Sequence, residues 1–320
     1  MRDLQTIARE RATINKTIRT FLDERGYIEV ETPLFVRSPD ISPNLTPFET
    51  SATEPNGEKH PGALITSPEF SMKKLLGKAF EQIYSLTKVF RNDEEFAGTH
   101  NPEFTMLEWY RQGKDYGFGM DETEELVKKV FATFGKTLPK IRRVRVRDLI
   151  LQQVGLDLDA ASVDEQRAAC ERLGLHPSNE DTESDLFYRL FLAKVEPNLG
   201  SEPIFVYNYP KHQAALSRLS PDGKYGERFE LYIDGLELCN GYTELTDAVE
   251  QHRRFEEEQA QRKRLGKTVF PIDEKLLALL PSIRQPTFGN ALGIDRLHMA
   301  CIGAKKIEDV LLFPAAEMFE

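Results

Sequence analysis

Apolar residues recur at helical spacing through the first stretch of the chain, at Ile7, Ala12, Ile14, Ile18, Phe21 and Leu22, and Gly26 follows a charged last turn. The pattern predicts an amphipathic helix, then a short strand over 27–31 that Pro33 stops. Residues 37–62 are rich in Ser, Pro, Asn, Thr and Gly and read as a long surface excursion without a core of its own, which makes the segment either functional or disordered. Two stretches of period-2 alternation, 82–90 and 103–110, flank a polar loop and predict an antiparallel pair with a long hairpin loop. Between 121 and 200 the apolar spacing is mostly helical, with the acidic runs DETEE and NEDTESD as solvated faces and first turns.

Strands return with IFVYNY and with RFELYIDGLELCNGYTEL, where Asp234-Gly235 between alternating residues signals a two-residue hairpin. A charged helix is expected from Asp247 to about Leu265, and GNALGIDRLHMACIGA closes with a Gly-flanked entry into another helix. Clustered antiparallel strands with segregated helices indicate an α+β fold, with no internal repeat.

The 320 residues carry 42 Lys plus Arg against 52 Asp plus Glu, a net charge of −10, which excludes a general basic field for nucleic acid. Cys170, Cys239 and Cys301 form no CxxC and no metal-ligand spacing, so they read as buried thiols of a cytoplasmic protein. The N-terminal stretch alternates charged and apolar residues, unlike a signal peptide, and no apolar run approaches a membrane span.

The chemistry starts at the hairpin. With Asp234-Gly235 as its loop, Tyr232 faces Glu237 and Glu230 faces Cys239, so Glu230 and Glu237 share a sheet face as diagonal neighbours, roughly 7 to 8 Å apart at the backbone. Two such carboxylates either lie in solvent or flank a hard cation such as Mg²⁺. On 103–110, Phe104, Met106, Glu108 and Tyr110 point one way and Thr105, Leu107 and Trp109 the other. Glu108 then sits either on an edge strand in water or in an aromatic pocket suited to an ammonium ligand. Arg91, at the mouth of the loop, is placed to bind a phosphate. In GNALGIDR, small residues at alternate positions before a helix let backbone approach a ligand, or simply pack. No histidine pair has zinc spacing, and His60, His176, His212 and His252 read as ordinary surface or core residues.

These pieces, in this order, resemble a class II aminoacyl-tRNA synthetase of the lysyl type. FLDERGYIEVETP is similar to the family's first motif, FRNDEEFAGTHNPEFTMLEWY to its second and GNALGIDR to its third, while TSPEFSMKKLL and ELCNGYTELTDA match lysyl-type segments. Lysyl-tRNA synthetases carry an anticodon-binding barrel ahead of the first motif, and too few residues precede that motif here. The resemblance therefore implies one catalytic domain over 1–320, with a mostly helical insertion at about 115–200 and no tRNA partner. It is similar in this to the stand-alone ligases that attach (R)-β-lysine, or lysine, to a lysine of elongation factor P. Ala291, where lysyl-tRNA synthetases have Gly, points the same way. A shortened lysyl-tRNA synthetase, another amino-acid-activating ligase and a non-catalytic paralogue are the rival readings.

The resemblance implies ATP and Mg²⁺ as cofactors and a homodimer through the first motif around Pro33. It assigns Arg91 to the α-phosphate and substrate carboxylate, Phe104 to the adenine ring and Arg296 to the γ-phosphate end, with Asn92, Asp93 or Glu94, His100 and Asn101 lining the nucleotide. Glu230 and Glu237 match the Mg²⁺ ligands, and Leu238 and Gly293 would meet ATP by backbone. Ser67, Pro68 and Glu69 lie where the family holds the amino-acid backbone, and Glu108, Tyr110, Asn240 and Glu244 where it reads the side-chain amine. In the second motif's loop the sequence departs from the family, with Gly98 or Thr99 in place of an arginine.

Overall fold

The computed structural model describes residues 2–96, 98–214 and 216–319; Ala97, in the loop of the second motif, lies outside them. Helix α1 (Leu4–Asp23) starts on Asp3, whose side chain accepts from the Thr6 amide, and buries Ile7, Ile14, Ile18, Phe21 and Leu22. It leads to strand β1 (Ile28–Glu29) and then β2 (Phe35–Val36), β3 (Glu49–Thr53) and β4 (Lys59–Leu64), which form a separate three-stranded sheet ordered β2-β4-β3. The excursion read at 37–62 is thus partly folded. Every residue of β3 is exposed, so no alternation marked it as a strand.

Helix α2 (Glu69–Leu76) precedes β5 (Gln82–Phe90) and β6 (Glu103–Gln112), which pair antiparallel from Gln82 opposite Arg111 to Phe90 opposite Glu103. Helices α3 (Tyr116–Thr133), α4 (Val146–Val154), α5 (Val163–Arg172) and α6 (Glu183–Leu190) follow, with strand β7 (Arg142–Arg145) among them. Next come β8 (Ile204–Pro210), β9 (Tyr225–Ile233), β10 (Leu236–Thr243), α7 (Ala248–Arg264), α8 (Glu274–Leu279), β11 (Thr287–Gly293) and α9 (Ile294–Ile302).

The main sheet has eight strands in the order β1-β5-β6-β11-β10-β9-β8-β7. Its inner pairings are antiparallel, as expected, but both edges are parallel, β1 on β5 and β7 on β8. Strand β7 escaped the sequence reading because Arg142, Arg143 and Arg145 give it no apolar alternation. One face of the sheet packs on α1, α3 and α9 through a core that includes Trp109, Phe229, Phe288 and Leu107, all fully buried. Burial of this kind contributes roughly 25 cal/mol per Å² of apolar surface, and here it fixes which face is left for chemistry. A second core, built from α4, α5 and α6 against β8, stands over the end of the sheet. No described helix is long and apolar enough to cross a membrane.

The hairpin contains the main correction. Asp234 and Gly235 form its two-residue loop with φ of 53° and 75°, and Tyr232 faces Glu237 as expected. One residue further a β-bulge intervenes, so Leu231 faces Cys239 and Glu230 faces Asn240, not Cys239. The extra residue is Leu238, which joins Cys239 in the core. Strict alternation would have put Glu237 and Asn240 on opposite faces; the bulge brings both to the same one.

Candidate active site

The free face of the sheet forms the floor of a cleft of about 630 Å³. Four strands supply one continuous row of partners: Glu230 on β9, Asn240 on β10, Ala291 on β11 and Glu108 on β6. In the neighbouring row stand Arg228, Tyr242, Gly289 and Tyr110. The alternation in 103–110 is therefore as read, and Glu108 lies on an inner strand, 1% exposed, not on an edge in water.

At one end of the cleft the carboxylates of Glu69, Glu108 and Glu244 gather. Glu108 accepts from Ser67 Oγ at 2.5 Å and from the Tyr110 hydroxyl at 2.8 Å. Glu69 accepts from the Tyr242 hydroxyl at 2.8 Å, and Lys73 Nζ lies 2.6 Å from Glu69 and 2.5 Å from Glu244. Burial pushes Glu108 and Glu244 up to about 8, because three acidic side chains share one buried cation. Such a pocket is short of positive charge, and an ammonium ligand would relieve it. Gly289 is obligatory in this wall, since a Cβ there would sit 2.0 Å from Glu244 Oε1. Pro68 occupies the N-cap of α2 behind the pocket, and Tyr110 and Glu244 form its buried backing; none of the three lines the cleft itself.

The middle of the cleft holds Arg91, whose Nε is buried without a hydrogen-bond partner among the described residues and whose guanidinium lies over the Phe104 ring at 5.2 Å. Burial lowers its pKa, so an anion beside it would restore a favourable charge. Arg296 Nη1 donates to the Glu237 carbonyl at 3.0 Å, and its Nη2 lies 2.8 Å from His100 Nε2. Gly293 adds nothing above the strand, where the nearest atom to a Cβ would be the Leu238 carbonyl at 3.8 Å. Asn101 lines the cleft but uses its side chain on the Glu103 carbonyl and the Ala315 amide.

Glu94 lines this region, 3.7 Å from His100. Asn92 and Asp93 do not. The chain turns at Asp93, with φ of 61°, while the Asn92 amide binds the Thr46 carbonyl, and both side chains face solvent. Between the two expected contacts the geometry favours Glu94.

Glu230 and Glu237 share the face, and their surroundings differ. Glu230 lies 2.5 Å from Arg228 Nη2 and accepts from the hydroxyls of Tyr232, at 2.7 Å, and Tyr209. Glu237 has no side-chain hydrogen bond among the described residues, and enclosure together with the Glu230 charge pushes it up to about 7. A pair of hard oxygen donors, one of them unsatisfied, fits Mg²⁺.

Sequence reasoning did not single out Lys73, Arg228, Tyr209 or Tyr232, and it read His212 as ordinary although it lines the cleft against Phe187. Lys73 had a signal, four residues after Glu69 on a helix. His212 had none.

Residues 1–317 match the family described as tRNA synthetases class II (D, K and N). An elongation factor P–(R)-beta-lysine ligase of Pectobacterium atrosepticum is 40% identical over 311 residues, covering 95% of this chain and 93% of its own length. The proteins of that name from Proteus mirabilis and Haemophilus influenzae are each 39% identical, over 312 and 307 residues, at 95% of this chain and 94% and 93% of theirs. With this match over nearly its whole length, the chain belongs to the class II tRNA synthetase family, among the proteins named elongation factor P–(R)-beta-lysine ligase.

Proposed function

We propose that the protein activates (R)-β-lysine, or lysine, with ATP and transfers it to a lysine side chain of elongation factor P. The observation that carries the reading is the pocket of Glu69, Glu108 and Glu244, buried with Lys73 in the same cleft as Arg91 and Arg296. That pocket suits an amino acid with an additional ammonium group.

In this reading the substrate carboxylate attacks the α-phosphorus of ATP. The new O–P bond forms as the bond to the β-phosphate oxygen breaks, and pyrophosphate leaves. Arg91 holds the α-phosphate and Arg296 the far end of the triphosphate, so catalysis is positioning plus charge neutralisation, with no side-chain nucleophile. Phe104 stacks on the adenine, Glu94 and His100 border it, and the backbone of Leu238 and Gly293 meets the nucleotide. Glu230 and Glu237 would hold Mg²⁺, which supplies countercharge to the phosphates. Ser67 and Glu69 hold the amino-acid backbone, while Glu108 and Asn240 read its distal amine, with Tyr110 and Glu244 behind them.

The acceptor amine then attacks the adenylate carbonyl, the bond to the AMP phosphate breaks and an amide remains. We place a homodimer interface on the face around Pro33, where Ile28 and Leu34 are exposed. ATP–pyrophosphate exchange with β-lysine and with lysine, followed by mass spectrometry of elongation factor P, tests the reading, with tRNA charging as a control. Exchange with neither amino acid would overturn it.

A further inference from the structure

The transfer step, on the reading above, needs a group that removes a proton from the acceptor lysine. The carboxylates of the amino-acid pocket are committed, Glu69 to Lys73 and Tyr242, Glu108 to Ser67 and Tyr110, and Glu244 to Lys73. His100 lies against the Arg296 guanidinium, whose charge with burial disfavours its taking a proton. His212 packs on Phe187 of the insertion, beside Glu183.

Asp40 remains. It lines the cleft together with Arg91 and Glu69, so it borders the place where the phosphate cation meets the amino-acid pocket. Its charge is felt from α2 by Glu69 and Lys73, from the end of β5 by Arg91, and by Glu258 and Arg262 of α7, which packs on its loop. The hydrogen bond it receives among the described residues is from the Ser42 amide at 2.8 Å, which orients the carboxylate and leaves its second oxygen available.

The loop that carries Asp40 is tied to α7 and to the segment that follows it. Arg262, 1% exposed, donates to the carbonyls of Ser42 at 2.8 Å and Leu45 at 2.9 Å, and Lys267 Nζ donates to that of Pro43 at 2.8 Å. A buried arginine directed at loop carbonyls gives the loop the fixed placement a proton acceptor requires.

We propose that Asp40 is the general base of the transfer step, taking a proton from the acceptor lysine as it enters the cleft. The acceptor's ammonium gives one proton to the Asp40 carboxylate. Its nitrogen lone pair forms the C–N bond at the adenylate carbonyl, AMP leaves with the electron pair of the broken C–O bond, and the second nitrogen proton passes to water. Arg91 assists by disfavouring the ammonium form beside it. Burial raises the Asp40 pKa, and the Glu69 charge adds to that in the same direction, which makes Asp40 a better acceptor.

The test separates the two half-reactions. Wild-type enzyme is first required to exchange pyrophosphate with β-lysine or lysine and to modify elongation factor P; failure there overturns the broader function. Asp40→Asn is then compared in exchange and in single-turnover transfer from enzyme loaded with ATP and the amino acid. The expected result is a loss of transfer of about 10²–10⁴-fold, at least tenfold larger than any loss of exchange. Transfer by the variant should rise with pH without the wild-type plateau, and Asp40→Glu should recover part of the rate. Equal losses in both half-reactions, or transfer at the wild-type rate, would overturn the assignment.

Discussion

Ala291 on β11 stands directly opposite Glu108 on β6, with Asn240 of β10 on its other flank. Its methyl group therefore projects into the row that would read the substrate amine. Ala291→Gly should enlarge that space and raise exchange with α-lysine relative to β-lysine by roughly tenfold or more, the range one methyl group supplies. Measuring kcat/KM for both amino acids checks it; an unchanged ratio would remove Ala291 from substrate selection.

Lys73 is 1% exposed and bridges Glu69 and Glu244. Lys73→Met leaves two buried carboxylates without their cation, and breaking a pair this way costs about 3–5 kcal/mol. Urea unfolding should show that loss, and pairing the change with Glu244→Gln should restore part of it. If the single variant unfolds like the wild type, the bridge is not structural.

Glu108 and Glu244 are raised to about 8, whereas an unfolded glutamate titrates near 4.5. Between those values the folded protein keeps protons that the unfolded chain releases. Their contribution to stability is full below about pH 4.5 and is lost as pH rises through about 8. Thermal unfolding without substrate should fall by a few degrees between pH 5.5 and 8.5. Added lysine should stabilise more at the higher pH, where the ionised carboxylates await an ammonium, and Glu108→Gln should flatten the slope.

How far the sequence reaches is clearest at Glu237 and Asn240. The turn at Asp234-Gly235 and the shared face of Glu230 and Glu237 follow from alternation alone, because register from a two-residue loop is set by the loop. Asn240 reaches the same face only through the bulge at Leu238, and no local signal in ELCNG announces an extra residue. Its place came from family resemblance. Similarly, the alternation of 103–110 is readable, but that Glu108 lies on an inner strand depends on β11, brought beside β6 from more than 170 residues away. The exposed β3 and the arginine-rich β7 lacked any period at all, since pairing with their neighbours, not burial, makes them strands.

Gly289 closes against the carboxylate cluster of the proposed amino-acid pocket. It lies in the row with Tyr242 and Tyr110, and a Cβ built on it would meet Glu244 Oε1 at 2.0 Å and the Tyr110 ring at 2.5 Å. Glu244 is packed against Lys73 and Tyr110 is hydrogen-bonded to Glu108, so neither neighbour can yield without disturbing the carboxylate cluster. Gly293, four residues on in the same strand, opens instead onto the Leu238 carbonyl at the end proposed to hold the nucleotide. Gly289→Ala should therefore destabilise the fold by about 1–3 kcal/mol through overpacking. In exchange assays it should raise KM for the amino acid at least tenfold, while KM for ATP changes by less than a factor of about three. Parallel rises in both constants would mean that the strand shifts as a unit and that the two halves of the cleft are not independent.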